Sequence, residues 1–305
     1  MPMSLIDFHS HWFSRTFFET LAAQSPLPGS VEDKLEFVRT RAGIELPPAD
    51  PAAHTARWLS EMDRHGVEHL CAFASLPEEM DIVAKAAASA PARLSAFTLI
   101  HPKAAGIVER LEQILGVHGH KGVLLFPALH DYAPDDPALA SVYEVLARHE
   151  SIVYAHCGQF SVRLRSLLGL PGAKDLRHGD PLRLIKPASA YPRIRFVIPH
   201  FGAGFLRETL MCATQAKNIY TDSSSSHGWL ATQCPRPTLA QVFESALAAF
   251  GPERVLFGTD STTFPTGWQR ARHEEQRAAL LQAGASAAVQ ERVFHRNARA
   301  LLGLS

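Results

Sequence analysis

Five side chains able to hold a metal ion stand at comparable places in a chain of 305 residues. Each lies at or just beyond the end of a short apolar run: His9 and His11 with SLIDFH, His156 with SIVYAH, His200 with RIRFVIPH and Asp260 with RVLFGTD. The chain holds 16 histidines against seven lysines, so histidine is the outlying residue type. In an extended strand, residues i and i+2 share a face. His9 and His11 therefore project side by side, and unbroken alternation puts Asp7 one row deeper on that face, as a buried group supporting the ligands. Taken singly, a histidine at a strand end is an ordinary hydrogen-bonded residue, and Asp260 could simply cap a turn. Their recurrence at the same end of separate runs argues for one site. Neutral imidazole and carboxylate are good zinc ligands, and a catalytic site keeps one position open for a water whose pKa falls to about 7. Such a site needs a proton acceptor. His200 is the candidate, because an unperturbed imidazole titrates near neutrality, and Asp260 is expected to share that work.

The elements that must position these groups are strands and helices in alternation. Eight runs read as strands, at 4–9, 67–75, 93–100, 121–127, 151–156, 193–200, 218–222 and 254–260. Each is nearly continuous in Val, Ile, Leu and Phe, as suits strands buried on both faces. Amphipathic segments at 103–116, 138–148, 203–216 and 238–250 read as helices between them. This count and length predict an α/β fold, a distorted (β/α)8 (TIM) barrel forming a single domain over 1–305, with its strand ends converging at one mouth. A doubly wound sheet is the alternative; no GxGxxG follows an early strand, which lowers its dinucleotide-binding form. Residues 13–53 exceed a minimal barrel and are expected to form an insertion after strand 1, with one or two short helices covering the mouth as a lid. Residues 157–192 form a second long connection. Strand 4 carries Lys121 only at its start, the wrong end for a metal-bridging carbamate, so one metal is expected rather than two.

The ordered set DFHSH, AHCG, IPHFGAG and LFGTDS, with the closing segment VFHRNARALLGL, resembles the amidohydrolase superfamily. More closely, it resembles the amidohydrolase-related branch that includes aminocarboxymuconate-semialdehyde decarboxylase. The resemblance runs over nearly the whole chain. It implies a distorted (β/α)8 barrel with a single divalent metal, most often zinc and in some members manganese. His9, His11, His156 and Asp260 would be its ligands and His200 the residue that activates water. The family's strand 4 often reads GVKLHP; here Leu124 and Phe126 replace the Lys and His and make that side more apolar.

The branch contains hydrolases and non-oxidative decarboxylases. The reading is a metal-dependent hydrolase of a small-molecule lactone, ester or amide-like bond. A decarboxylase (a carboxy-lyase) of an aromatic or conjugated acid is the alternative, and a non-catalytic metal- or ligand-binding barrel a third. A decarboxylase needs a carboxylate clamp, and Arg163, Arg165 and His178 in the loop after strand 5 are candidates. Trp12, Trp229 and Trp268 are candidates for an aromatic pocket wall, and His130 for a substrate hydrogen bond. His118 and His120, a second HxH before strand 4, are read as surface residues at the barrel bottom. Thirty basic and thirty acidic residues balance to zero net charge, which does not suggest nucleic acid or an anionic membrane as partner. Four dispersed cysteines, no signal-peptide pattern and no apolar run of membrane length make a cytoplasmic protein the expectation, with a homodimer as the candidate assembly.

Overall fold

The computed structural model describes residues 4–304. Its eight strands are all parallel and follow chain order around one sheet: β1 (Leu5–His11), β2 (Val67–Ala74), β3 (Leu94–Leu99), β4 (Gly122–Leu125), β5 (Ile152–Ala155), β6 (Arg195–Ile198), β7 (Ile219–Asp222) and β8 (Val255–Leu256). Helices lie between them, as in the expected (β/α)8 barrel. β8 is shorter than the 254–260 run because the chain beyond Leu256 turns to meet β1. Phe8 N–H donates to the Phe257 carbonyl (2.9 Å), Asp260 N–H to that of His9 (2.9 Å) and His11 N–H to that of Ser261 (2.8 Å), which joins the last strand to the first.

Ile6, Phe8, Phe73, Phe97, Leu124, Tyr154, Val197 and Leu256 fill the barrel, and Leu301 and Leu302 of the last helix, Asn297–Leu302, pack into the same core. A second core separates the strands from the surrounding helices. Each fully buried Leu, Ile, Val or Phe contributes roughly 1.5–3 kcal/mol.

β1 is not a regular strand. Asp7 pairs with Leu70 and Ser10 with Ala72, so three steps on β1 face two on β2. The extra residue is a bulge, which reverses the in–out phase. Ile6 and Phe8 point into the barrel before it, and His9 and His11 after it. Asp7 consequently does not share their inward row. Its carboxylate instead accepts the His9 N–H (3.0 Å) and the Thr259 N–H (3.1 Å), and so satisfies the backbone where the ladder is interrupted.

The stretch after β1 forms two helices, α1 (Arg15–Gln24) and α2 (Val31–Ala42), before α3 (Pro51–His65) resumes the barrel rhythm. Ser14 caps α1, Ser30 and Asp33 form a capping box on α2, and Asp50 caps α3 with Pro51 in its first turn. Phe13, Phe17, Phe18, Leu21, Leu35 and Val38 form a core of their own with Leu164 and Leu168 from the loop after β5. Glu45 N–H donates to the Phe264 carbonyl (2.7 Å), which ties the insertion to the loop after β8.

The helix expected at 103–116 starts at Ile107 and continues beyond Glu112 as a π-helical turn to Val117; that at 203–216 starts only at Leu206, after a turn with left-handed backbone at His200, Phe201 and Ala203. His120 is not at the surface. It is 4% exposed, and burial pushes its pKa down to about 4. All four cysteines are free, and among the described residues no helix is long and apolar enough to cross a membrane.

Candidate metal centre

The strand ends bring the five residues together. His9 sits in the middle, with ring centroids 5.4 Å from His11, 5.3 Å from His156 and 4.8 Å from His200. Asp260 Oδ1 lies 3.3 Å from His11 Nε2 and 3.7 Å from His9 Nε2. Two overlapping sets, His9–His156–His200 and His9–His11–Asp260, each hold one ligand atom per residue within 4.8 Å of the others. His9 Nε2 and both ring nitrogens of His156 are buried without a hydrogen-bond partner. Orphaned nitrogens of this kind cost free energy unless something binds them. Four imidazoles and one carboxylate fit a divalent ion that favours nitrogen and oxygen, zinc or manganese.

The outer contacts aim these rings. Asp222, at the end of β7, accepts from His9 Nδ1 on Oδ2 (2.8 Å) and from the His200 and Ser224 N–H groups on Oδ1 (2.9 and 3.0 Å). A histidine whose second nitrogen is held by a carboxylate is a fixed, more basic ligand. His11 Nδ1 meets Ser75 Oγ at 2.7 Å. Glu79, buried next to it, accepts from the Ser75 and Leu76 N–H groups and from both donors of Ser14, so it ties the chain just after His11 to the end of β2. Arg272 donates to the Thr259 and Asp260 carbonyls (2.7 and 3.0 Å) and lies 3.6 Å from Asp260 Oδ2. His200 and Asp260 both adopt left-handed backbone, φ 59° and 56°. Non-glycine residues held there cost roughly 1–3 kcal/mol and concentrate at functional sites. Gly258 lets the β8 loop approach: a Cβ there would lie 2.6 Å from His9 Cβ.

The electrostatics favour a cation. Burial weighs against charge on His9, but Asp222, then Asp260 and Asp7, outweigh it and raise its pKa. Burial would raise the Asp260 carboxyl, yet its hydrogen bond to His11 and the charges of His200, His11 and His9 hold it well below the usual range. Burial, with the neighbouring imidazoles, pushes His156 far down, and burial with the charge of His9 pushes His200 down to about 4. Both are therefore neutral at physiological pH and able to offer a lone pair.

The remaining candidates are more dispersed. Trp12 points away from the mouth, because the residue after inward-facing His11 faces outward; its ring packs 4.4 Å from His54 in the outer core. Trp268 also lies in that core, and its Nε1 donates to Asp7 Oδ2 (2.8 Å). With Thr259, it surrounds Asp7, whose pKa burial raises to about 6 against these hydrogen bonds. Trp229 is buried in the same layer. Arg163 donates to the Arg41 carbonyl (2.8 Å), and Arg165 to that of Pro171 (3.0 and 3.2 Å). His130 stacks on His101 (5.0 Å), and His178 faces Asp131 (3.3 Å). The wall beside the imidazoles is phenylalanine: Phe126 stacks on His156 (4.1 Å), Phe160 packs against Phe126 (5.1 Å), and Phe13 stacks on His11 (5.3 Å). Asp222, Glu79 and Arg272 escape a reading of the sequence for ligands. Asp222 alone had a visible signal, since it closes NIYTD as His156 closes SIVYAH.

The family model described as amidohydrolase matches residues 6–304. No curated protein matches the sequence at a significant level. Among solved structures, 5-carboxyvanillate decarboxylase from Sphingomonas paucimobilis is similar, with a TM-score of 0.68 at 15% identity over 100% of both chains. The same enzyme from Novosphingobium aromaticivorans, complexed with manganese and 4-hydroxy-3-methoxy-5-nitrobenzoic acid, gives 0.66 at 14% identity over 99% of this chain and 97% of that one. A probable 2-pyrone-4,6-dicarboxylic acid hydrolase from Acinetobacter baumannii, with citric acid bound, gives 0.61 at 15% identity over 99% and 100%.

Proposed function

The chain belongs to the amidohydrolase family, and from that premise we propose that it is a metal-dependent hydrolase of a small-molecule lactone, ester or amide-like bond. His9, His11, His156 and Asp260 would hold one divalent ion, zinc first and manganese second. When bound, that ion supplies Lewis acidity at the barrel mouth. The observation that carries the reading is the state of His200. Its Nδ1 is engaged by Ser224 Oγ (2.8 Å) while its ring stands over the ligand cluster, so Nε2 is left to take a proton from an attacking water and pass it to the leaving group. Asp260 assists by orienting that water. The helices of 13–53 act as a lid, since their core is continuous with the loop after β5. Arg163 and Arg165 bond backbone carbonyls rather than form a carboxylate clamp, which favours hydrolysis over decarboxylation.

Decarboxylation is the second reading, and the phenylalanine wall favours it: Phe126 and Phe160 offer an aromatic acid a ring to lie against. The named decarboxylases among similar structures give that reading its substrate class. Metal analysis of purified protein, followed by a screen of lactones and aromatic acids with carbon dioxide monitored, tests both. About one equivalent of metal, and lactone turnover lost in His200→Ala, is the expected result. Less than half an equivalent, with no gain on adding zinc or manganese, refutes the metal reading. Carbon dioxide release that disappears in His200→Ala refutes hydrolysis.

A further inference from the structure

The loop after β7, SSSS at 223–226, reaches the base of the site through one hydroxyl. Ser224 is fully buried, and its Oγ has three polar neighbours: Asp222 Oδ1 at 2.5 Å, His200 Nδ1 at 2.8 Å and His9 Nδ1 at 3.1 Å. A serine hydroxyl has one proton to give and two lone pairs to offer. An ionised carboxylate can only accept, and Asp222 Oδ1 is the nearest neighbour, so the hydroxyl proton lies on the Asp222 side. Ser224 Oγ is then an acceptor towards the rings. His9 Nδ1 has the closer acceptor in Asp222 Oδ2 at 2.8 Å. The lone pair of Ser224 is thus left to His200, whose Nδ1 must carry a hydrogen to use it.

We infer that Ser224 is a positioning residue for His200: its hydroxyl relays the Asp222 carboxylate to His200 Nδ1, and so holds the imidazole in the Nδ1–H form with the Nε2 lone pair facing the ligand cluster. One buried carboxylate then sets the tautomer of two histidines, His9 directly and His200 through one hydroxyl. The opposite assignment would make Ser224 donate to His200 and turn an oxygen lone pair on Asp222 Oδ1 at short range. It would also place a proton on the nitrogen that faces the ligand cluster. The division matches different tasks. A ligand gains basicity from direct contact with the carboxylate, whereas an acid–base group is held neutral by a neutral partner. Asp222 Oδ1 also accepts the His200 and Ser224 N–H groups, so the left-handed turn at His200 and the hydroxyl that orients its ring hang on one atom.

This inference rests on the proposed role of His200, but its test needs neither substrate nor turnover. Chelator-treated protein labelled with 15N-histidine is studied at pH 9 by long-range proton–nitrogen correlation, with His9 and His200 assigned through single substitutions. Both rings are expected as the Nδ1–H form in the unaltered protein. In Ser224→Ala, His200 should move to a mixture of the two tautomers while His9 stays as it was, and Ser224→Thr should restore the His200 signal. The alanine variant removes only a hydroxyl, and the unchanged His9 signal reports that the surrounding fold persists. Zinc affinity should fall less than threefold in Ser224→Ala, against roughly 10–100-fold in Asp222→Asn. His200 found as the Nε2–H form in the unaltered protein, or unmoved in Ser224→Ala, overturns the inference. So does loss of both signals together, or a zinc affinity that falls as far as in Asp222→Asn. If the tautomers behave as expected in a protein that turns over no lactone, the hydrolase reading fails and this one stands.

Discussion

Replacing His156 with phenylalanine should stabilise the metal-free protein while removing its response to metal. His156 is buried, both of its ring nitrogens lack a partner, and its ring already stacks on Phe126 with centroids 4.1 Å apart. A buried polar group without a partner costs roughly 1–3 kcal/mol. A phenyl ring keeps the stacking, worth about 0.5–1.5 kcal/mol for an aromatic pair, and removes both orphaned nitrogens. Some of the gain is offset by the extra atom of the larger ring, because overfilling a packed site costs about 1–3 kcal/mol when neighbours cannot give. Two such nitrogens are relieved, about 2–6 kcal/mol together, and against the overfilling cost the net expectation is a metal-free variant about 1–3 kcal/mol more stable than the parent. Metal reverses the order: an ion at 100 times its dissociation constant stabilises the native state by about 2.7 kcal/mol, and the variant, short of one ligand, loses most of that. Urea unfolding in chelator and in zinc, read by tryptophan fluorescence and far-ultraviolet dichroism with slopes compared, measures all four stabilities. The parent should gain in zinc and the variant should not. A His156→Phe protein less stable than the parent in chelator by more than about 1 kcal/mol, with unchanged slope, would refute the reasoning, because His156 would then be satisfied in the metal-free fold.

Asp222→Asn should keep the fold and weaken zinc binding by roughly 10–100-fold, read by competition with a chromophoric chelator, because His9 loses the carboxylate that orients it. Gly258→Ala places a Cβ 2.6 Å from His9 Cβ and 3.0 Å from Ser224 Cβ, and should cost about 1–3 kcal/mol in urea unfolding and lower the bound metal per chain. A full metal equivalent in that variant would mean the β8 loop can yield without moving His9. His54 gives stability a pH dependence. Burial lowers its pKa from 6.5 to about 4, and its Nε2 accepts from Trp58 Nε1 at 3.2 Å, a bond only the neutral ring can make. The unfolded chain takes up a proton below pH 6.5 and the folded one does not. Its contribution is therefore complete above pH 6.5 and is lost as pH falls towards 4, by about 3 kcal/mol at most. The loss of unfolding free energy between pH 7 and 4.5 should be smaller in His54→Gln than in the parent; equal losses would remove His54 from the account.

Much of this protein is legible in its sequence for a local reason. Burial on both faces demands unbroken apolar runs, so each run marks its own strand. His9, His156, His200 and Asp260 interrupt the runs at one end, which becomes the mouth once parallel strands close into a barrel. Element type and candidate ligands follow from neighbours a few residues apart. Side-chain phase across an irregularity does not. The bulge in β1 is set by pairing with β2 and by the Asp7 carboxylate across to Thr259, a residue 252 positions away. It turns Asp7 out of the row that alternation predicts. Trp12, next to inward-facing His11, lies in the outer core, while Phe126 and Phe160 from the loops after β4 and β5 wall the site. Arg163 and Arg165 look in sequence like free cations, yet backbone carbonyls claim their donors. The acid that aims His9 and His200 comes from β7, 213 residues from the first and 22 from the second, and its work depends on distances of about 3 Å between strand ends. A sequence can set which residues are able to hold a metal, because that is a property of the side chain and its strand. Which carboxylate orients them is a property of the closed barrel, because hydrogen bonds reach only as far as packing brings their atoms.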